Sequence, residues 1–369
     1  MLSKLTRKKS ILSLQKDISL SNPDGSINDS KRVLNVRDLT LMGIAAVIGA
    51  GIFSTIGKAS FDGGPGVIFL FVITAITCGF TALCYAEFAA MIPIAGSAYA
   101  YSYTTMGELV AWIIGWALIM EYALGAATVS IAWSEYLNKL LGGSIPYEWS
   151  HSPFESITDT AGVLHHGIMN APALIILLLL TLLLIKGTQE SAFVNGLIVI
   201  TKVAIVIMII VFGWHFINPA NHTPYIPEVS TYNDDQGISH HFGGIMGILG
   251  AAGTVFFAFI GFDAVSTAAQ ETKNPKKDMP IGILGSLAIC TILYILFAHV
   301  LTGVATVEDF RTGGKEASVA FAINKYMIGY SWLANFVTVA ILAGFSSVIL
   351  VMLLGQSRVF YSMGNDGLL

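Results

Sequence analysis

The sequence predicts an all-α, polytopic membrane protein, and three observations point there. Hydrophobic residues make up 54% of the chain and charged residues 11%, where a soluble globular protein carries roughly 25% charged residues. The apolar residues gather into eight runs, each long enough to cross a hydrocarbon core as a helix, which takes about 20 residues with a lower limit of about 17. Lysine and arginine also fall unevenly between those runs.

The runs lie near 37–60, 66–90, 108–138, 171–187, 190–216, 242–272, 280–304 and 329–363. The first follows Arg37 and holds "VIGAGIF" at its middle. The second and fourth are mostly apolar stretches. The third carries Glu121 and the fifth Lys202. The sixth passes from small residues into "FFAFIG", and the seventh and eighth are again mostly apolar. The segments 1–37, 186–190 and 273–279 and the end at Arg358 hold 13 of the 19 basic residues. That asymmetry sets the N-terminus in the cytoplasm and turns loops 139–170 and 217–241 outward. Residues 1–36 are too polar to fold alone and read as a mobile cytosolic tail, leaving 37–369 as the transmembrane domain.

Composition excludes several functions. The net charge of −4 gives no footing for nucleic-acid binding. Cys78, Cys84 and Cys290 sit inside apolar runs and read as packed hydrophobes. The pairs His165–His166 and His240–His241 lack metal-ligand spacing, so no metal or cofactor is expected. "GIFSTIGKA" has the wrong spacing for a phosphate loop and Ala59 where a hydroxyl must stand, which argues against an ATP-driven pump. No Ser/His/Asp set or metal cluster shares one depth, so the chain does not read as an enzyme.

Counted inward from the cytoplasmic ends, Gly49, Glu121, Lys202 and Ile260 all fall roughly 18–20 Å deep at 1.5 Å per residue. Glycine at the centre of a span weakens the helix. Discontinuous helices in corresponding positions of two halves mark the binding site of a secondary transporter. For the glycines taken alone, close helix packing is an equal reading. An ionisable group at this depth costs at least about 2.5–3.5 kcal/mol to insert and is functional by default. Burial disfavours the charged form of a lysine, which suits Lys202 to exchanging a proton. A permanently charged tie between helices is its structural alternative.

The stretches "GIAAVIGAGIF" (43–53), "FFAFIGFDAVSTAAQETKNPKKDMPIGI" (256–283) and "GQSRVFYSMGNDGLL" (355–369) resemble the amino acid–polyamine–organocation superfamily, and within it the cationic amino acid transporters and their bacterial homologues. The resemblance implies a leucine-transporter-type fold of five plus five inverted helices, here truncated after the eighth. It implies a monomer in the plasma (inner) membrane that imports an amino acid by alternating access, with proton symport expected. Sodium symport or exchange on the same fold is the nearer alternative, and a non-transporting amino acid sensor the more distant one. Carried over by motif, the substrate carboxylate meets the amides of Ala50 and Gly51, with Gly49 allowing the turn. Its ammonium meets carbonyls of Val47, Phe257, Ala258 and Ile260, and Phe257 also covers it from outside. Glu121 borders the site, Lys202 couples the proton, and Ser346 and Ser347 mark the ion site of sodium-coupled members. Asp263 is expected to orient helices.

Overall fold

The computed structural model describes residues 7–10, 33–53, 55–94, 96–158, 164–186, 188–233, 239–312 and 318–369. Most of the N-terminal tail, residues 1–6 and 11–32, lies outside them. The described chain is mostly helical, with two small β-hairpins on its connections.

The first run divides into α1 (Val36–Val47), α2 (Ala50–Phe53) and α3 (Thr55–Gly63). Its start is fixed by a capping box. The Asn35 side chain accepts from the amides of Arg37 and Asp38, and the Asp38 carboxylate accepts from the Asn35 amide at 3.0 Å. These bonds satisfy first-turn amides that have no partner within the helix. The second run is α4 (Val67–Met91), followed by a short helix α5 (Ser97–Thr105). The third is α6 (Glu108–Leu140), the fourth α7 (Ala171–Lys186) and the fifth α8 (Thr188–Gly213). The sixth comprises α9 (Gly244–Gly250), α10 (Ala252–Phe259) and a 3-10 segment, Phe262–Glu271. Then come α11 (Pro275–Val304), the short α12 (Val307–Thr312) and α13 (Ser318–Tyr326), and α14 (Ser331–Asn365).

Among the described residues, seven helical stretches are long and apolar enough to cross a membrane, where the sequence pattern suggested eight. The difference lies at α7, which spans 16 residues. At 1.5 Å per residue it reaches about 24 Å, short of a hydrocarbon core of about 30 Å. Its apolar residues nonetheless remain exposed, Leu174, Leu178, Leu182 and Ile185 among them.

Between α6 and α7, β1 (Ser156–Thr158) pairs antiparallel with β2 (Leu164–His166). Between α8 and α9, β3 (Ser230–Asn233) pairs with β4 (Ser239–Phe242). The core forms where α1, α10, the 3-10 segment and α11 meet α6, α8 and α14. Leu34 and Thr272 form a parallel bridge, so the start of α1 and the end of the 3-10 segment are joined. Two hydrogen bonds of 2.9 Å, Leu34 amide to Glu271 carbonyl and Lys273 amide to Leu34 carbonyl, hold that bridge.

Candidate functional site

Two helices break at the centre of this core. After α1, Ile48 turns extended (φ −76°, ψ 104°), and α2 restarts at Ala50. The Phe53 amide is bonded to the Gly49 carbonyl at 3.2 Å. By position, the amides of Ala50, Gly51 and Ile52 therefore precede the first intrahelical bond of α2. The second break follows α10, where Ile260 is extended (φ −57°, ψ 139°) and Gly261 takes φ +113°. Only glycine adopts that angle without strain, and a Cβ there would also lie 3.1 Å from the Ala46 carbonyl.

The two breaks touch. A Cβ placed on Gly51 would sit 2.7 Å from the carbonyl oxygen of Ala258 and 2.9 Å from its carbonyl carbon. Gly51 is thus required by a backbone-to-backbone approach, the close packing that only a residue without a side chain permits.

Lys202 on α8 is fully buried. Its ammonium donates to the carbonyls of Ala45 at 2.7 Å and Ile48 at 2.5 Å. The first is a last-turn carbonyl of α1 and the second belongs to the residue that caps it, at the end of the helix that carries the negative end of the dipole. The lysine stem passes Gly344 of α14, its Cδ lying 3.6 Å from where a Cβ would stand. The lysine is therefore a three-way junction of α1, α8 and α14.

Tyr294 on α11 was not among the residues singled out from sequence. Its hydroxyl lies 2.6 Å from the Val47 carbonyl and 3.0 Å from that of Ala258, one acceptor on each broken helix. The ring is buried against Phe71 and Phe259. A tyrosine hydroxyl deep in an apolar span must find an acceptor, and that was the available signal. Each carbonyl has two lone pairs, so Val47 and Ala258 retain capacity for a second donor.

The remaining candidates are more scattered. Phe257 and Ile260 are partly buried at the second break. Of Ala50, only its place as the first residue of α2 is described. Glu121 is half-buried on α6 and within electrostatic reach of Asp263. Its neighbour Tyr122 donates to the Asp263 carboxylate at 2.7 Å, tying α6 to the 3-10 segment. That bond agrees with an orienting role for Asp263. Ser346 donates to the Leu342 carbonyl of its own helix at 2.9 Å, and Ser347 is fully buried. Among the described residues, no group of three or more His, Cys, Asp or Glu could hold a metal.

A site of opposed backbone ends suits a zwitterion, and similarity to known proteins bears on which proteins build one. The sequence profile described as amino acid permease matches residues 34–369. The chain belongs to the amino acid permease family. This permease is 41% identical over 364 residues to the branched-chain amino acid permease BcaP of Bacillus subtilis, covering 98% of this chain and 72% of that one. It is 39% identical to the methylthioribose transporter of the same organism, over 92% of this chain and 68% of the relative. Cationic amino acid transporter 9 of Arabidopsis thaliana is 37% identical, over 92% of this chain and 56% of the relative. A substrate-bound, outward-open sodium-coupled sialic acid symporter shares the fold, with a TM-score of 0.55 at 14% identity, covering 95% of this permease and 72% of that chain. The permease is thus a multi-pass membrane protein of a transporter family and not an enzyme, and its relatives support amino acid transport.

Proposed function

We propose that this permease imports amino acids across the plasma membrane by proton-coupled symport, as a monomer with its N-terminus in the cytoplasm. Residues 37–369 serve as the transport domain and 1–36 as a cytosolic tail. Its spans follow a five-plus-five inverted repeat in which α1–α3 and α9 to the 3-10 segment are counterparts, so that the two breaks face each other.

The observation that carries the reading is Lys202, buried and bonded to the Ala45 and Ile48 carbonyls. Protonated, it makes charge-assisted hydrogen bonds, roughly twice as strong as neutral ones, and holds the end of α1 against α8. Losing its proton weakens that tie and frees the broken helix to move. The substrate carboxylate lies on the amides of Ala50 and Gly51. Its ammonium takes the spare lone pairs of Val47 and Ala258, with the Phe257 and Ile260 carbonyls beside them. Gly49 permits the turn, Phe257 covers the substrate, and Glu121 biases the charge of the accepted side chain. A sodium ion bound at Ser346 and Ser347 would be repelled by the neighbouring ammonium.

The test is uptake of a panel of labelled amino acids into proteoliposomes, with proton and sodium gradients imposed separately. Accumulation driven by the proton gradient alone is expected. Accumulation that requires sodium, or saturable binding without uptake, would overturn the reading.

A further inference from the structure

The short helix α7 leaves part of the bilayer to be filled by something else. Lys186 closes its last turn, and an ammonium there must reach the polar boundary of the membrane. That end is therefore fixed at one surface. The roughly 6 Å by which α7 falls short of a hydrocarbon core opens at the other end, where Ala171 begins the helix. Leu174, Ile175, Leu178 and Leu182 are exposed along α7, so its lipid-facing stripe runs up to that gap. A polar loop in the gap would leave backbone groups facing hydrocarbon.

What precedes α7 is a closely tied loop. The Asn170 side chain accepts from the Ala173 amide at 3.1 Å and donates to the Ser150 carbonyl at 2.7 Å. It thus caps the first turn of α7 and pins the turn around Ser150 to it. The Ile168 amide donates to the Glu148 carbonyl at 2.7 Å, and the Gly167 amide to the Glu155 carbonyl at 3.1 Å. A Cβ on Gly167 would run into the carbonyls of His151 and Ser152, so the two limbs of the loop are in backbone contact. These ties bring Trp149, Phe154, Leu164, Ile168 and Met169 onto one small unit, and all five are exposed. Phe154 is 97% exposed, and leaving such a ring in water forgoes about 1.5–3 kcal/mol. Glu148, with its ion pair to His165 at 3.2 Å, and Glu155 limit how deep the unit can sink. They hold it at headgroup level, where tryptophan is enriched.

We propose that this loop is an interfacial insert, in which Trp149, Phe154, Leu164, Ile168 and Met169 bury among phospholipid acyl chains beside the headgroups and complete the apolar surface that α7 leaves short. Residues 168–170 are not helical, and three residues of chain reach up to about 10 Å, enough to cover the gap. An interfacial element sinks about 5–10 Å into this boundary, which matches the same distance. Lipid is favoured over a protein partner because the patch continues along the chain into the lipid-facing stripe of α7. A soluble partner would leave the gap unfilled.

The experiment places a nitroxide at Phe154→Cys in the full chain, with Cys78, Cys84 and Cys290 replaced by alanine or serine, in phospholipid vesicles. Power-saturation EPR reads its collisions with a water-soluble nickel chelate. Ser144→Cys, exposed on the same connection, is the aqueous reference, and Leu178→Cys is the lipid reference. Nickel collisions at Phe154→Cys are expected to fall at least about tenfold below those at Ser144→Cys, since a polar chelate pays more than about 1.4 kcal/mol to enter hydrocarbon. Collisions equal to those at Ser144→Cys would overturn the insert. Dipolar broadening between labels that survives dilution in lipid would assign the patch to a second copy and overturn it equally. With the native cysteines in place, lipids brominated near the headgroups provide an independent reading. Trp149→Phe is expected to remove a quenched component of the fluorescence, and an unchanged quenched amplitude would overturn the proposal. Neither measurement needs transport or an assigned orientation, so a failure of the transport reading leaves both intact.

Discussion

Placing a single methyl group at Gly51 tests how closely the two broken helices must approach. Ordinary contact for a Cβ begins at 3.4 Å, and in Gly51→Ala the nearest carbonyl oxygen, that of Ala258, stands at 2.7 Å. That oxygen must retreat by about 0.7 Å, and the Ala258 Cα by more. No rotamer relieves the clash, because every atom involved is backbone. Overpacking of this kind costs about 1–3 kcal/mol, so the variant is expected to fold with a lowered melting temperature. The functional loss is larger, because a misplacement of about 1 Å in a positioning group costs on the order of a hundredfold. Initial uptake by the variant in proteoliposomes is expected to fall by about that factor. Gly253→Ala is the matched control, since nothing lies within 4 Å of a Cβ there. Parent-like uptake by Gly51→Ala, with an unchanged KM, would refute the reasoning that the two backbones jointly form the site.

Tyr294→Phe removes a hydroxyl that faces both the Val47 and Ala258 carbonyls. A buried acceptor left bare costs about 1–3 kcal/mol, so a lower melting temperature and slower uptake are expected, read by thermal shift and initial rate. Glu121→Gln is expected to lower uptake of cationic relative to neutral amino acids by about tenfold or more. A charge pair at about 4 Å is worth about 4 kcal/mol at an effective dielectric of about 20, before desolvation; competition with a labelled neutral substrate reads the ratio. Asp309, between α11 and α14, is pushed up by burial, but hydrogen bonds from Lys325, Thr306 and Tyr326 outweigh that and hold its carboxyl at about 2. A depressed carboxyl contributes stability that is complete above its ordinary value near 3.8 and is lost as pH falls through about 2. With Lys325 half exposed, the contribution is about 1–2 kcal/mol. Hydrogen exchange in α12 and α13 is expected to rise between pH 4 and 2, and Asp309→Asn to abolish that rise.

The crossings were legible because composition alone separates a lipid-soluble helix from a loop. The two breaks were legible because glycine at the centre of a span conflicts with helix propensity, and Lys202 because a mid-span ammonium conflicts with the solvent around it. Each of these stands out against its immediate neighbours. Tyr294 does not, since tyrosine packs comfortably in an apolar helix, and only the fold reveals that its hydroxyl faces two carbonyls. The short helices α5, α12 and α13 carry too few residues for a periodic pattern, and tertiary contacts alone define them. The ion pairs of Arg7 and Lys9 with Glu108 and Asp366 join residues about 100 and 357 positions apart, a separation that no local pattern encodes.

The central claim is that Lys202 carries the coupled proton, and the most direct measurement is proton flux alongside substrate uptake in the same proteoliposomes. With the parent protein, each amino acid imported is expected to bring a proton, and an inward proton gradient to drive accumulation above equilibrium. Lys202→Gln keeps a hydrogen-bond donor toward the Ala45 and Ile48 carbonyls but has no proton to exchange, so it is expected to equilibrate substrate without concentrating it. Proton-driven accumulation by Lys202→Gln equal to that of the parent would contradict the claim.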